Sequence, residues 1–254
     1  MKLKDKVAII TGAAKGIGRA IAIEFVKEGA KVVVADIDFE GAKRTVEDIR
    51  KLGGEAIAVK VNVANPNDVE VMVKKTLDAF GKIDILINNA GIAIQKPALE
   101  MTLDEWKKII DVNLTGVFLC SQAVGRVMVK QGGGVIINMA SMLGFIAIPK
   151  RSAYCASKAG VIGLTKELAV EWAKYGIRVV GVAPGWVATK RVIELTKKGI
   201  VNEEVVKTLT PMGRMAAPEE VAKLMVFLAS DDASFITGET VLIDGGYVAY
   251  GGPV

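Results

Sequence analysis

Thr11-Gly12-Ala13-Ala14-Lys15-Gly16-Ile17-Gly18 lies between a short apolar run, Lys6 to Ile10, and a helical stripe of Ile17, Ala20, Ile21 and Phe25. A glycine turn where a strand meets a helix lets the backbone reverse tightly. It also lets a diphosphate approach main-chain N–H groups with no Cβ in the way. The helix that follows adds free N–H groups and the positive end of its dipole. By itself the octapeptide also reads as an ordinary glycine-rich turn. The next segment favours the phosphate reading. Lys31 to Ala35 is a strand rich in valine, and Asp36 ends it, 18 residues beyond Gly18. An acidic residue at about that distance is placed to hold the two hydroxyls of an adenosine ribose and repels a 2′-phosphate. Lys15 pulls mildly the other way, but a flexible lysine can swing into solvent. NAD is therefore expected, with NADP disfavoured.

The pattern continues outward from this unit. Apolar runs at Glu55–Val61, Ile83–Ile87, Gly134–Met139, Ile177–Ala183 and Thr240–Ile243 predict five more strands, seven in all. Helices are expected over Asp38–Leu52, Asn67–Phe80, Thr102–Ile110, Val112–Lys130, Ser152–Tyr175 and Pro218–Ala229, with shorter pieces at Ala188–Lys198 and Glu203–Leu209. Strands apolar throughout and alternating with amphipathic helices predict an α/β fold, a parallel sheet with helices on both faces. No linker, repeat or low-complexity tract interrupts the alternation, so residues 1–254 read as one domain.

Composition narrows the chemistry. The 254 residues are 51% hydrophobic and 24% charged, enough apolar surface for a large core and too few charges for a disordered chain. Two cysteines, Cys120 and Cys155, exclude a disulfide scaffold and read as structural thiols. There is no histidine, so His-based triads and His-bearing zinc sites are excluded, and no metal is expected. The net charge of +5 is dispersed, without a basic stripe carrying interleaved aromatics, and no nucleic-acid partner is expected. No membrane span or signal peptide is expected either, because the apolar run near the N-terminus is short. The cytoplasm is the default location.

Further motifs then fall in order along the chain: Asn88-Asn89-Ala90-Gly91 after the fourth strand, Asn113, Ser141, Tyr154 and Lys158, Pro184-Gly185 with Val187 and Thr189 after the sixth strand, and Asp244-Gly245-Gly246 near the end. Together with the glycine turn, they make the chain resemble the classical short-chain dehydrogenase/reductase family from Val7 to about Gly246. The resemblance implies a Rossmann-like, doubly wound, seven-stranded parallel sheet. It implies a cofactor site of Gly12, Lys15, Gly16, Ile17, Gly18, Asp36, Asn62, Val63, Asn89, Ala90, Gly91, Tyr154, Lys158, Pro184, Gly185, Val187 and Thr189. It implies a catalytic tetrad of Asn113, Ser141, Tyr154 and Lys158, a small alcohol or ketone as substrate, and a homotetramer. Three positions depart from the family pattern. Asn62 replaces an Asp beside the adenine, Val180 replaces a common Asn, and Arg151 stands where an uncharged polar residue is usual.

The tetrad has a physical logic. Tyr154 and Lys158, four residues apart on one helix face, would place an ammonium near a phenol. Bringing a phenol from about 10 to about 7 requires about 4 kcal/mol. One ammonium about 5 Å away contributes about 3 kcal/mol at an effective dielectric of about 20. The oxidised nicotinamide ring brings further positive charge. Ser141 would donate to the substrate oxygen. In the family reading Asn113 marks a backbone distortion or a water relay towards Lys158, and Lys158 also holds the nicotinamide ribose.

The expected reaction is hydride transfer between a secondary alcohol and a ketone. The Gly245–Val254 tail resembles those of sugar, polyol or cyclic-alcohol dehydrogenases. A 3-oxoacyl-[acyl-carrier-protein] reductase is the alternative. Arg126 fits a carrier-docking position, while Val170 stands where a second cation is expected and Asp36 disfavours the usual NADPH. A nucleotide-sensing or scaffold protein on the same fold is the non-enzymatic alternative, and such proteins tend to lose the tyrosine or lysine kept here. Substrate choice is assigned to residues 92–96, 142–151 and the segment of about 186–212. Lys150, Arg151, Lys190 and Arg191 flank that region and read either as a solvated rim or as a site for negative charge on the substrate.

Overall fold

Seven strands form one parallel sheet in the order β3-β2-β1-β4-β5-β6-β7 in a computed structural model describing residues 1–250 and Gly252. The strands are β1 (Val7–Thr11), β2 (Lys31–Asp36), β3 (Ala56–Lys60), β4 (Ile85–Asn88), β5 (Gly134–Met139), β6 (Ile177–Pro184) and β7 (Thr240–Ile243). Gly251, Pro253 and Val254, the end of the tail read above for substrate class, lie outside the described residues.

Side chains alternate across the sheet and build two cores. On one face Ile10, Val34 and Ile87 pack with Phe25 of α1 (Gly16–Lys27), Ile49 of α2 (Phe39–Lys51) and Met225 of α9 (Pro218–Ala229). On the other face Ile9, Val33 and Leu86 pack with Met72 of α3 (Pro66–Phe80), Val124 of α5 (Gly116–Gln131) and Leu168 of α6 (Ser152–Trp172). With both faces covered, the strands need no polar side, which is why they read as continuous apolar runs. Strand order reverses between β1 and β4, and at such a switch point the connections diverge and leave a crevice beyond the strand ends.

One expectation is corrected. Instead of two helices at 102–130, the chain forms a continuous helix, Leu103–Gln131. It comprises α4 (Leu103–Ile110), a π-helical turn at Asp111–Thr115 and α5. No proline interrupts the segment, and a π turn absorbs the change of register without ending the helix. A reciprocal Thr102–Glu105 capping box starts it, and Gly132 in the left-handed region ends it. By length and composition this helix could cross a membrane, but half of its most apolar window is buried within the protein. Cys120 is fully buried there, and burial pushes its thiol up to about 12. The long helix expected to Tyr175 closes as α6 plus a tighter 3-10 turn, Ala173–Tyr175. Two short helices, α7 (Lys190–Lys197) and α8 (Glu203–Leu209), follow β6.

Candidate active site

The C-terminal ends of β1, β2 and β4 border a cavity of about 810 Å³. Of the residues assigned to the cofactor, Gly12, Lys15, Asp36, Asn62, Val63, Asn89, Ala90 and Gly91 line it. Gly12 has φ +66°, and a Cβ there would come within 2.8 Å of the Ala90 Cα, so only glycine fits where the turn meets the segment after β4. The Asn89 amide donates to the carbonyls of Thr11 (2.9 Å) and Gly12 (3.0 Å). The Thr11 hydroxyl accepts from the N–H groups of Asn89 (3.0 Å) and Ala90 (3.1 Å). Thr11 is therefore a structural member of the site that the motif reading missed. A lone threonine before the glycine carries no signal for it. At the far end the Asp36 carboxylate accepts from the N–H groups of Ala14 and Asp38, both at 2.9 Å. These bonds hold it at the rim, half-exposed.

Gly16, Ile17, Gly18, Pro184, Gly185, Val187 and Thr189, also assigned to the cofactor, do not line the cavity. Gly16 opens α1, whose N-cap, Lys15, makes no side-chain cap, leaving the first N–H groups free. Thr189 caps α7 and abuts the turn: a Cβ on Gly16 would lie 3.7 Å from the Thr189 Cγ2. Val187 is buried and bridges to Ala216. Asn62 is exposed, its side-chain oxygen accepting from the Ala64 N–H at 3.2 Å. Ile92, Asp104, Lys107, Lys108, Asp111 and Arg191 also line the cavity. The charged residues among them, four on α4 and its π turn and one on α7, belong to no motif, so only the fold brings them here.

The four tetrad residues converge beside Gly91. Asn113 sits in the π turn, fully buried, and its amide accepts from the Ile92 N–H (2.8 Å) and donates to the Ile92 carbonyl (2.9 Å) and the Ser157 hydroxyl (3.2 Å). The Ser157 hydroxyl in turn donates to the Tyr154 carbonyl at 2.7 Å. The π turn thus pins the segment after β4 to the first turn of α6. Ser141 follows β5 and accepts from the Leu143 N–H at 3.1 Å, and its hydroxyl stands within hydrogen-bonding reach of the Tyr154 phenol. Gly144 brings this loop onto α6, since a Cβ there would lie 3.0 Å from the Lys158 backbone. Lys158 is 2% exposed and donates to the Met139 carbonyl at 2.6 Å. Its Nζ lies 5.7 Å from the centre of the Tyr154 ring.

The electrostatics depart from the simple arithmetic. Burial pushes the Tyr154 phenol up, against the downward pull of the Ser141 hydroxyl and the Arg151 and Arg191 guanidiniums. Burial pulls Lys158 down to about 8. In the protein alone desolvation counts against both the phenolate of Tyr154 and the ammonium of Lys158, a cost that spacing along the helix leaves out.

A glycine turn open at a helix N-terminus, a carboxylate at the end of β2 and a cavity at the switch point define a dinucleotide-binding fold, and these residues fit a nicotinamide dinucleotide. Comparison with known proteins agrees. A family model described as Enoyl-(Acyl carrier protein) reductase matches residues 12–248. The chain is 46% identical over 250 residues to a 3-oxoacyl-[acyl-carrier-protein] reductase of Synechocystis sp., covering 98% of this chain and 99% of that one. It is 44% identical over 248 residues to an NAD-dependent glycerol dehydrogenase of Listeria innocua, covering 96% and 94%. A crystal structure of a short-chain type dehydrogenase/reductase from Mycobacterium marinum superimposes with a TM-score of 0.91 at 42% identity, covering 97% and 96%. The chain belongs to the short-chain dehydrogenase/reductase family, oxidoreductases that act on CH–OH groups.

Proposed function

We propose that the protein is an NAD(H)-preferring dehydrogenase that interconverts a secondary alcohol and a ketone, with Tyr154 as the acid and base. The observation that carries this reading is the convergence of Ser141, Tyr154, Lys158 and Asn113 next to Gly91, at the inner end of the dinucleotide cleft. NAD bound there supplies the hydride acceptor. Tyr154 takes the alcohol proton during oxidation and returns it during reduction. Ser141, whose hydroxyl reaches the Tyr154 phenol, donates to the substrate oxygen and holds it beside that phenol. Asn113 positions the Ile92 backbone and, through Ser157, the first turn of α6. Lys158 holds the nicotinamide ribose. Asp36 favours the unphosphorylated ribose, because its carboxylate is already fixed by two N–H donors and would meet a 2′-phosphate at close range.

The whole chain acts as one domain, and the segment of about 186–212 serves as the substrate loop. The substrate falls among sugars, polyols and cyclic alcohols, in line with the glycerol dehydrogenase relative. The Synechocystis relative favours a second reading, a 3-oxoacyl-[acyl-carrier-protein] reductase. Against it, Arg126 is engaged by Glu70 (3.4 Å) and Gln122 (3.1 Å), and Val170, 83% exposed, leaves an apolar side chain where a second docking cation is expected. The protein is taken as a cytoplasmic homotetramer, because a second copy would cover Val170 of α6 and Phe118 of α5. A panel of alcohols and ketones followed by NADH absorbance with each cofactor tests the reading. Turnover of a polyol or cyclic alcohol with NAD supports it, and activity confined to acyl thioesters with NADPH overturns it.

A further inference from the structure

We infer that Thr165 and Asn138 are positioning residues of the tetrad: their hydrogen bond sets the register of α6 along β5, and with it the approach of Tyr154 to Ser141. The inference rests on the reading of Tyr154 and Ser141 as the reacting pair and adds what holds them in place.

A chain of polar side chains crosses the core beneath the tetrad. Asn88 and Asn138 are register partners on β4 and β5. Strand alternation points them the way of Leu86 and Ile136, into the core shared with α5 and α6. The Asn88 amide donates to the Ser121 hydroxyl oxygen and to the Asn138 side-chain oxygen, both at 2.9 Å. The Asn138 amide donates to the Thr165 hydroxyl oxygen at 3.0 Å, and that hydroxyl donates to the Val161 carbonyl at 2.7 Å. None of these four residues is more than 2% exposed. The chain touches each element that carries the tetrad. Ser121 lies on the helix that continues from the π turn of Asn113, Asn138 lies near the end of the strand that leads to Ser141, and Thr165 lies on α6, about two turns beyond Lys158. Asn88 immediately precedes Asn89 of the cofactor cradle.

Stability alone does not account for such a chain. Apolar side chains of similar size would fill the same space, and a buried polar pair adds little over that replacement. What the polar chain adds is direction. Apolar contacts have none. Each amide donates at one end and accepts at the other, so the links close in one register only. Sliding α6 along β5 by one residue would leave the Asn138 N–H buried without an acceptor, a penalty that grows with burial. Lys158 makes a second tie between the same two elements, donating to the Met139 carbonyl at 2.6 Å. In the proposed reaction, however, Lys158 also holds the nicotinamide ribose, so it does not serve as a fixed anchor. Thr165 has no second task.

Thr165→Val and Thr165→Ser separate direction from packing. Valine keeps the shape and loses the hydroxyl, whereas serine keeps the hydroxyl and leaves a methyl-sized gap. With active sites counted by NADH fluorescence titration, kcat for alcohol oxidation should fall about tenfold or more in Thr165→Val and stay within about threefold of wild type in Thr165→Ser. NADH affinity should change by less than about twofold in both, because the cradle keeps its own bonds. The apparent pKa of the kcat/KM profile should rise in Thr165→Val, since the Ser141 hydroxyl pulls the phenol down and would stand farther from it. A role in packing alone predicts the reverse order, with Thr165→Ser the weaker enzyme, and that order overturns the inference. So does full kcat per active site in Thr165→Val with only the urea midpoint lowered. Where Thr165→Val does not fold, Thr165→Ser and Thr165→Ala, which differ only by the hydroxyl, are compared in the same way. A crystal structure of Thr165→Val with NADH gives a readout that needs no turnover. The Ser141 Oγ and the Tyr154 hydroxyl should move apart by about 0.5 Å or more, and an unchanged separation overturns the inference. A widened separation together with a fully active Tyr154→Phe supports the register and overturns the proton-transfer reading.

Discussion

At the β1–β2 end of the cleft, Asp36 and Asn89 each grip two backbone groups and Thr11 grips three, at 2.9 to 3.3 Å, and every partner lies in or beside the turn and the strand ends. At the α6–α7 end, Arg151 holds one amide oxygen at 3.3 Å, and α7 has no buried residue at all. The first region is short side chains on main chain, ordered before anything binds. The second is a long side chain at the entrance of α6 beside a short helix, α7, that buries none of its residues, so few contacts order it before a ligand arrives. A cofactor common to a family can be met by a fixed cradle, whereas substrate choice is most easily altered where few other contacts depend on it.

The comparison can be broken most severely at its midpoint. Tyr154→Phe keeps the ring but removes the proton acceptor, and alcohol oxidation is expected to fall by about a thousandfold or more. NADH affinity, read by fluorescence, should stay close to wild type, because the cradle does not depend on the phenol. Substantial remaining turnover would remove Tyr154 from the proton step.

Lys158→Met comes next, with turnover near neutral pH reduced about a hundredfold and NADH binding weakened. Its effect on stability has the opposite sign. Lys158 titrates at about 8 in the folded chain against 10.5 as its ordinary value. Between those values the unfolded chain binds more protons, so stability rises with pH across that window, and the buried charge costs the fold about 3 kcal/mol below it. The variant should therefore be more stable than wild type in urea at pH 7, with an advantage that shrinks towards pH 10.5. An advantage independent of pH would show that the ammonium is not held at such cost.

A smaller change is expected at the cradle. Asp36→Ala should narrow the NADH-over-NADPH preference in kcat/KM by about tenfold, and Ile37→Arg added to it should reverse the preference. Because Asp36 also fixes the Ala14 and Asp38 N–H groups, both cofactors should bind more weakly. A wild-type preference for NADPH would overturn the assignment. The smallest effect belongs to the anchor of the substrate end, where the Arg214 guanidinium and the Ala217 N–H hold the Glu220 carboxyl down to about 2. This contribution is present above pH 4.5 and lost as pH falls towards 2. The pair is exposed and screened by solvent, so Arg214→Ala should leave the urea midpoint close to that of wild type. A larger loss would mean that the loop is more firmly tied than its few contacts indicate.

Much of this was readable without coordinates. Seven apolar runs separated by amphipathic stretches leave little choice but a covered parallel sheet, since burying both faces of a strand leaves it predominantly apolar. The glycine turn, Asp36 and the ordered motifs pointed to the cleft that the fold forms, because each answers a local demand: a positive φ at Gly12, a helix N-terminus at Gly16, a strand end at Asp36. Two things required the tertiary structure. The π turn that carries Asn113 into the Ile92 backbone depends on a helix kept continuous by its packing, which a helical period alone does not reveal. The titration order of Lys158 and Tyr154 depends on how deeply each is desolvated, and spacing along a helix says nothing about that. Sequence determines local conformation and the pattern of burial. Distance and dielectric between remote charges exist only once the chain has closed on itself.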